Sequence, residues 1–359
     1  MYDVLYRHLL SRFDAERIHQ RTLDILETVG SLPLALNLLQ HQFSPSVSAA
    51  PIKLWGLEFR HPLGLAGGLD KDARCLPALA ALGFSFIEVG TVTPQPQPGN
   101  RRPRLFRLPE DQALINRMGF PSAGMVAVRK GLERQMPHPV PVFVSLGKNK
   151  NTPLAQAVSD YVAVLAHLYA QGDAFVVNIS SPNTPELRQL QTRAYLDSLL
   201  ADLRVALLRV AKDAPPKPLL IKISPDLSLA ELDELLELAV SHQVSGIIAT
   251  NTTTTRPNLH SRYTGEAGGL SGLPLRQRST AIIEHIRQQS SNQLAIIGVG
   301  GVFDAADMGE KMAAGASLVQ AYTGFIYRGP SFVRTTVEQL QARMRESGMM
   351  RYEEIVGIN

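Results

Sequence analysis

Residues 219–250 read LLIKISPDLSLAELDELLELAVSHQVSGIIAT. A short run rich in Leu and Ile (219–223) passes through a polar turn into a longer amphipathic segment (229–240), and a second β-rich run follows at 246–250. Strand, helix and strand in that order make a parallel crossover unit, whose strands are apolar on both sides because helices cover both faces of the sheet. Outward from this unit the alternation repeats from Pro62 onward, with further β-rich runs at 63–66, 86–92, 142–146, 175–179, 295–299 and 318–322. Eight such runs favour a closed (β/α)8 TIM barrel, an α/β fold. An open doubly wound sheet is the structural rival, but no GxGxxG follows the first run, where a dinucleotide fold carries it.

The chain has 359 residues, enough for one barrel and a small appendage. Hydrophobic residues make up 45% and charged residues 19%, which suits a large buried core and excludes wholesale disorder. A formal charge of +4 fits an anionic substrate, an anionic lipid surface or nucleic acid, and selects none of them. Cys75 is the only cysteine, so there is no intrachain disulfide framework and no cysteine metal site, and a reducing compartment is expected. No apolar run approaches the roughly 20 residues needed to cross a bilayer, and no secretory signal opens the chain; it is expected to be soluble or to sit on a membrane surface.

The first stretch differs from the rest and divides the chain into an N-terminal helical region, 1–45, and a barrel domain, 46–359. Val4, Leu5, Leu9 and Leu10 form one stripe; Asp14 is placed to cap a second helix in which Ile18, Thr22, Ile25, Leu26 and Val29 share a face; 34–39 is almost wholly apolar. A helical cap packed on the barrel and a surface that enters the membrane interface explain this pattern equally well.

In a barrel the active site lies where the strands end, so the polar residues there carry the functional reading. After the first run come Gly67, Gly68, Asp70 and Lys71; glycines allow close approach to a planar or phosphorylated ligand and a lysine meets an anion, although an ordinary βα loop has the same composition. The fourth run leads into Asn178, Ser180, Ser181, Asn183 and Thr184, whose amides and hydroxyls suit a ring edge of amide and carbonyl groups. Turn chemistry accounts for Ser-Pro-Asn-Thr-Pro equally well. Lys222 ends the fifth run among Leu220, Ile221 and Ile223, and needs either a ligand anion, an electron-rich cofactor edge or a structural ion pair. Thr250 to Thr254 follow the sixth run, Gly300 and Gly301 the seventh, and Tyr322, Thr323 and Gly324 the eighth; backbone N–H groups after the last two strands are a common phosphate site. Between the second and third runs, Asn116 to Phe120 follow a basic stretch with Arg101, Arg102, Arg104 and Arg107, which reads as a solvated loop. The motifs of serine hydrolases, zinc proteases and P-loop enzymes are missing, and the basic residues form no groove-reading motif, so no nucleic-acid partner is expected. A phosphate-bearing cofactor with a small polar substrate is what stays.

Taken together, LAGGLDKD (65–72), GTVTP (90–94), NRMGF (116–120), GKNK (147–150), NISSPNTP (178–185), GGLSG (268–272) and IGVGG (297–301) resemble the dihydroorotate dehydrogenase family, specifically its class 2, quinone-dependent branch. The resemblance covers almost the whole chain. It implies FMN in the barrel mouth, with (S)-dihydroorotate against the flavin and oxidised to orotate in pyrimidine biosynthesis by loss of a proton and a hydride. Ser181 matches the base that removes the C5 proton, where class 1 relatives have a cysteine. Thr184 and Phe120 match its proton-exit route. Lys71, Asn116, Arg117, Met118, Gly119, Phe120, Asn178, Asn183, Asn251 and Thr252 are implied for dihydroorotate, Lys71 on its carboxylate.

For FMN the resemblance implies Gly67, Gly68, Leu69, Asp70, Lys71, Thr91, Ser145, Asn178, Lys222, Thr250, Gly272, Gly301, Tyr322 and Thr323, with Gly301, Tyr322 and Thr323 near the phosphate and Lys222 at the N1/O2 edge. Ser145 departs from the family's usual asparagine, so a weaker flavin contact is expected there. The N-terminal helices are implied to admit a membrane quinone through an apolar tunnel lined at its inner end by His19, Arg107 and Tyr322; as a bare residue, His19 reads as a surface histidine. A monomer, peripheral on the cytoplasmic side of the cell membrane, goes with that reading. The rivals are the same FMN barrel with fumarate or an NAD-linked acceptor, and a catalytically silent metabolite-binding barrel.

Overall fold

A computed structural model of the chain describes residues 13–184 and 186–358; the stripe expected from Val4, Leu5, Leu9 and Leu10 lies outside the described residues. Strands β1 (Leu63–Leu65), β2 (Ile87–Val92), β3 (Val142–Leu146), β4 (Ala174–Asn178), β5 (Leu219–Lys222), β6 (Gly246–Ala249), β7 (Ala295–Val299) and β8 (Leu318–Ala321) form one closed barrel. Each strand pairs in parallel with the next, and β8 returns to β1 with Val319 opposite Leu63. All eight expected runs are strands. Several ladders stop one residue short of the expected end, leaving Ala66, Ile179, Ile223, Thr250 and Tyr322 just past the strands, and Ala66, Thr250 and Tyr322 of these line the barrel mouth.

The quoted crossover folds as read. Its helix, Leu229–Ser241, starts at a capping box in which Ser228 Oγ accepts from the Glu231 amide and the Glu231 carboxylate accepts from the Ser228 amide (3.3 and 2.8 Å), and it buries Leu232, Leu235 and Leu236. A hairpin, Ile52–Leu54 with Leu57–Phe59, closes the N-terminal end of the barrel. There Phe59 meets Phe86 and Phe143 edge-on, with ring centroids 5.4 and 6.2 Å apart. At the other end the strands Leu105–Leu108, Ala113–Asn116 and Gly269–Gly272 form a small antiparallel sheet that walls the mouth.

Among the described residues two helices precede the barrel, α1 (Ala15–Ser31) and α2 (Pro33–Phe43), bent by 110° to each other. Asp14 caps α1 as expected, accepting from the Arg17 amide at 2.8 Å. The apolar face differs from the one expected. Ile18, Thr22 and Leu26 look toward the barrel, but Leu23 joins them in place of Ile25, which is 62% exposed. Among the described residues no single helix is long and apolar enough to cross a membrane.

A buried ion pair seats α1. Arg104 Nη2 donates to Glu16 Oε1 at 2.7 Å, both side chains being almost wholly covered, and Arg102 adds a second contact at 2.9 Å. Arg104 is therefore not part of a solvated basic loop: its Nη1 also donates to the Pro98 and Asn100 carbonyls. Removing one partner of such a pair strands the other, which costs about 3–5 kcal/mol. Glu16→Ala is expected to loosen α1 by that order, read as faster amide hydrogen exchange across residues 15–31 while barrel amides keep their protection.

Candidate active site

The residues at the strand ends line one cavity at the C-terminal mouth: Gly67, Gly68 and Lys71 after β1, Thr91 on β2, Asn178, Ser181 and Asn183 after β4, Lys222 on β5, and Thr250, Asn251 and Thr252 after β6. Gly301 after β7 and Tyr322 and Thr323 after β8 complete the ring, with Asn116, Met118, Gly119, Phe120 and Gly272 from the antiparallel sheet and its loops. These are side chains from every part of the chain, brought together only by barrel closure.

A polar belt orders one side of the cavity. Asn178 Nδ2 donates to Thr91 Oγ1 at 2.7 Å, while its Oδ1 accepts from Ser180 Oγ at 3.2 Å and from Asn251 Nδ2 at 3.4 Å. Asn251 Nδ2 also donates to Ser180 Oγ at 3.0 Å, and its Oδ1 accepts from the Thr252 amide at 2.8 Å. Asn183 Nδ2 donates to Asn116 Oδ1 at 3.1 Å, which joins the loop after β4 to the antiparallel sheet. Ser181 is buried on the cavity wall, and its Oγ accepts from the Asn183 amide at 3.3 Å. Three residues on, Thr184 Oγ1 is buried and finds no hydrogen-bond partner among the described residues.

Beneath the belt lies a buried charge pair. Lys222 Nζ sits 3.1 and 3.0 Å from the two carboxylate oxygens of Glu88 on β2, and Gln320 Nε2 on β8 donates to the same carboxylate at 3.0 Å. Of the readings open for Lys222, the structural ion pair is present, and the lysine also faces the cavity. Gly67 is needed here: a Cβ on it would lie 2.4 Å from Glu88 Oε1. Lys71 faces the cavity, where burial pushes its ammonium down to about 8 against the pull of Asp72. His19 is no surface histidine. It lines the cavity from α1, and burial, with repulsion from Lys71, pushes its pKa down to about 4, leaving a neutral imidazole near pH 7.

Some expected contacts are not on this wall. Ser145 is fully buried one layer back, its hydroxyl 3.1 Å from Thr91 Oγ1, so it acts on the cavity only through Thr91. Asp70 turns away to accept from the amides of Arg74 and Cys75 (2.8 and 2.7 Å) at the start of the helix Leu76–Ala81. Arg117 leaves the cavity to pair with Glu266 at 2.5 Å and to lie over the Phe106 ring. Leu69 and Arg107 line a second, apolar cavity of about 340 Å³ between α1, α2 and the barrel. Its walls include Ile18, Leu26, Leu39, Phe43, Phe325 and Ile326. His19, Leu105, Leu114 and Tyr322 line both cavities, so the apolar one lies directly beside the polar one.

Comparison with known proteins decides the family. The family model described as dihydroorotate dehydrogenase matches residues 49–344. A dihydroorotate dehydrogenase (quinone) of Acidithiobacillus ferrooxidans is 48% identical over 348 residues, covering 96% of each chain, and that of Gloeobacter violaceus is 48% identical over 358 residues, covering 98% of each. This chain belongs to the dihydroorotate dehydrogenase family. Its branch is class 2. The solved dihydroorotate dehydrogenase of Eimeria tenella in complex with ferulenol superposes with a TM-score of 0.90 at 33% identity, covering 100% of this chain and 99% of that one.

The chain is thus an oxidoreductase with FMN as cofactor, and the cavity fits that group. Gly67 and Gly68 keep one wall bare for a flat ring; Lys71 and Lys222 supply cations; Gln320 Oε1 is a buried acceptor with no partner among the described residues. Gly301, at φ +73°, bends the chain after β7 where a Cβ would strike Arg276 at 2.4 Å, leaving its backbone on the cavity wall. Glu88, Gln320 and Ser271 also line this cavity and were not singled out from sequence. The signal for the first two was available: each is a polar residue inside a run that must be largely apolar on both faces.

Proposed function

We propose that this chain oxidises (S)-dihydroorotate to orotate for pyrimidine biosynthesis and passes the electrons to a membrane quinone. The adjacency of the polar and apolar cavities, which share His19, Leu105, Leu114 and Tyr322 as lining, carries the reading, because it gives a water-soluble substrate and an apolar acceptor separate approaches to one redox site. Bound FMN supplies the hydride acceptor. Ser181 takes the C5 proton, and the unpartnered hydroxyl of Thr184 together with Phe120 on the cavity wall marks the proton's way out. Asn116, Asn178, Asn183, Asn251 and Thr252 orient the ring by its amide edges, and Lys71 holds the carboxylate. Lys222 stabilises charge at the electron-rich edge of the flavin.

On the acceptor side, His19, Arg107 and Tyr322 provide polar contacts at the inner end of a tunnel walled by aliphatic and aromatic side chains. Its outer helices present Leu34 and Leu38, 82% and 70% exposed, with Ile25 and Leu32 beside them. Transfer of each such side chain from water into a lipid interface recovers on the order of 1.5–3 kcal/mol, so this face supports peripheral membrane attachment; a monomer on the cytoplasmic side of the cell membrane is part of the same proposal. Residues 1–45 act as the quinone-access region and 46–359 as the catalytic domain.

Lys71 gives the reaction a pH signature. Its ammonium binds the carboxylate only when protonated, and in the free protein it loses its proton at about 8. kcat/KM for dihydroorotate is therefore expected to fall as pH rises through about 8, and Lys71→Gln to remove that limb while raising KM; a profile unchanged by the substitution would take Lys71 off the carboxylate. The acceptor is tested by offering a ubiquinone analogue, fumarate and NAD separately during orotate formation. Turnover with the quinone alone supports the reading, and equal turnover with fumarate or NAD overturns it.

A further inference from the structure

The loops after β4 and β6 carry cavity residues, and both meet the loop after β5 at one guanidinium. Arg188, in the short helix Leu187–Gln191, donates from Nε to the Ser180 carbonyl at 3.2 Å, from Nη2 to the Thr252 carbonyl at 3.2 Å, and from Nη1 to Asp226 Oδ2 at 2.8 Å. Asp226, just past β5, in turn accepts from Thr253 Oγ1 and from both the amide and the hydroxyl of Thr254, the last two at 2.9 Å. Burial alone would raise its pKa, but the bonds from Thr253, Thr254 and Arg188 hold the carboxyl below the ordinary aspartate range. The Arg188 and Asp226 side chains are 27% and 17% exposed, and neither residue lines the cavity. A fork of this kind fixes two planes at once, which a lysine cannot do.

We propose that Arg188 and Asp226 are positioning residues for substrate oxidation: by pinning the Ser180 carbonyl to the Thr252 carbonyl through one charged node, they set the distance of Ser181 from the ring that Asn251 and Thr252 orient. Ser180 is the immediate neighbour of Ser181, so loss of the node lets the base drift without emptying the site. This rests on Ser181 being the base. A misplacement of an ångström at a reacting atom costs on the order of 100-fold.

The test uses the holoprotein and single-turnover kinetics of Arg188→Lys and Asp226→Asn, with Ser181→Ala alongside. Flavin reduction by saturating dihydroorotate is expected to slow by about 10- to 100-fold in both node variants, with a larger isotope effect from C5-deuterated substrate. Orotate affinity by calorimetry, and reoxidation by quinone of chemically reduced protein, are expected to stay within about three-fold of the parent, a difference below roughly 1 kcal/mol. A merely structural role would instead lower melting temperature and both half-reactions together, and that outcome overturns the proposal. So does normal reduction in both node variants while Ser181→Ala is slow. If Ser181→Ala itself reduces normally, it is the assignment of the base that has failed.

Discussion

Ser181→Ala is expected to slow flavin reduction by dihydroorotate by about 10²–10⁴-fold, the usual worth of a positioned general base, while FMN stays bound. The reasoning is geometric. Ser181 is buried on the cavity wall between Asn178, held by Thr91 and Asn251, and Asn183, held by Asn116, so its side chain faces wherever those amides hold a ring. Its Oγ already accepts from the Asn183 amide, an arrangement that favours developing negative charge on oxygen. A serine hydroxyl has a pKa far from neutral and works as a base only if its own proton leaves as it takes another. The Thr184 hydroxyl, buried with no partner among the described residues, is the relay we propose. Reduction of Ser181→Ala at the parent rate in anaerobic single-turnover mixing would remove Ser181 from this role.

Ile18→Trp is expected to do the reverse, leaving reduction intact and slowing reoxidation by quinone. Ile18 lies on the wall of the apolar cavity of about 340 Å³ and is not among the residues lining the polar one. Extra bulk in a packed apolar space costs about 1–3 kcal/mol, which as lost quinone affinity is roughly 5- to 150-fold. Filling the cavity is a sharper test than deleting residues 1–40, because deletion also removes Glu16 and strands the buried Arg104. Equal slowing of both half-reactions would count against separate approaches to the flavin.

The barrel was legible because its strands are mostly apolar on both faces, which leaves eight short β-rich runs that local pattern can find. The mouth residues followed, since strand ends and mouth are the same place in this fold. What pattern could not reach were pairings across the barrel. Glu88 and Lys222 are 134 positions apart and meet only on closure, so the lysine's partner was left open between ligand and protein. Arg104 looked like one of several solvated arginines until α1 brought Glu16 against it. Asp70 and Arg117 belong to motifs whose neighbours line the cavity, yet their side chains turn to a helix start and to Glu266; a motif marks a loop and not the direction of each side chain in it. Ser145 was read as a shortened flavin contact, but the strand puts it behind Thr91, with its hydroxyl 3.1 Å from Thr91 Oγ1.

Anaerobic stopped-flow mixing of the holoprotein, first with dihydroorotate and then with a water-soluble ubiquinone analogue, joins the two cavities in one record. Bleaching of the flavin band followed by rapid recovery on the quinone is the expected course; bleaching that recovers with fumarate or NAD but not with quinone would contradict the tunnel, and a band that dihydroorotate does not bleach would contradict the chemistry assigned to Ser181.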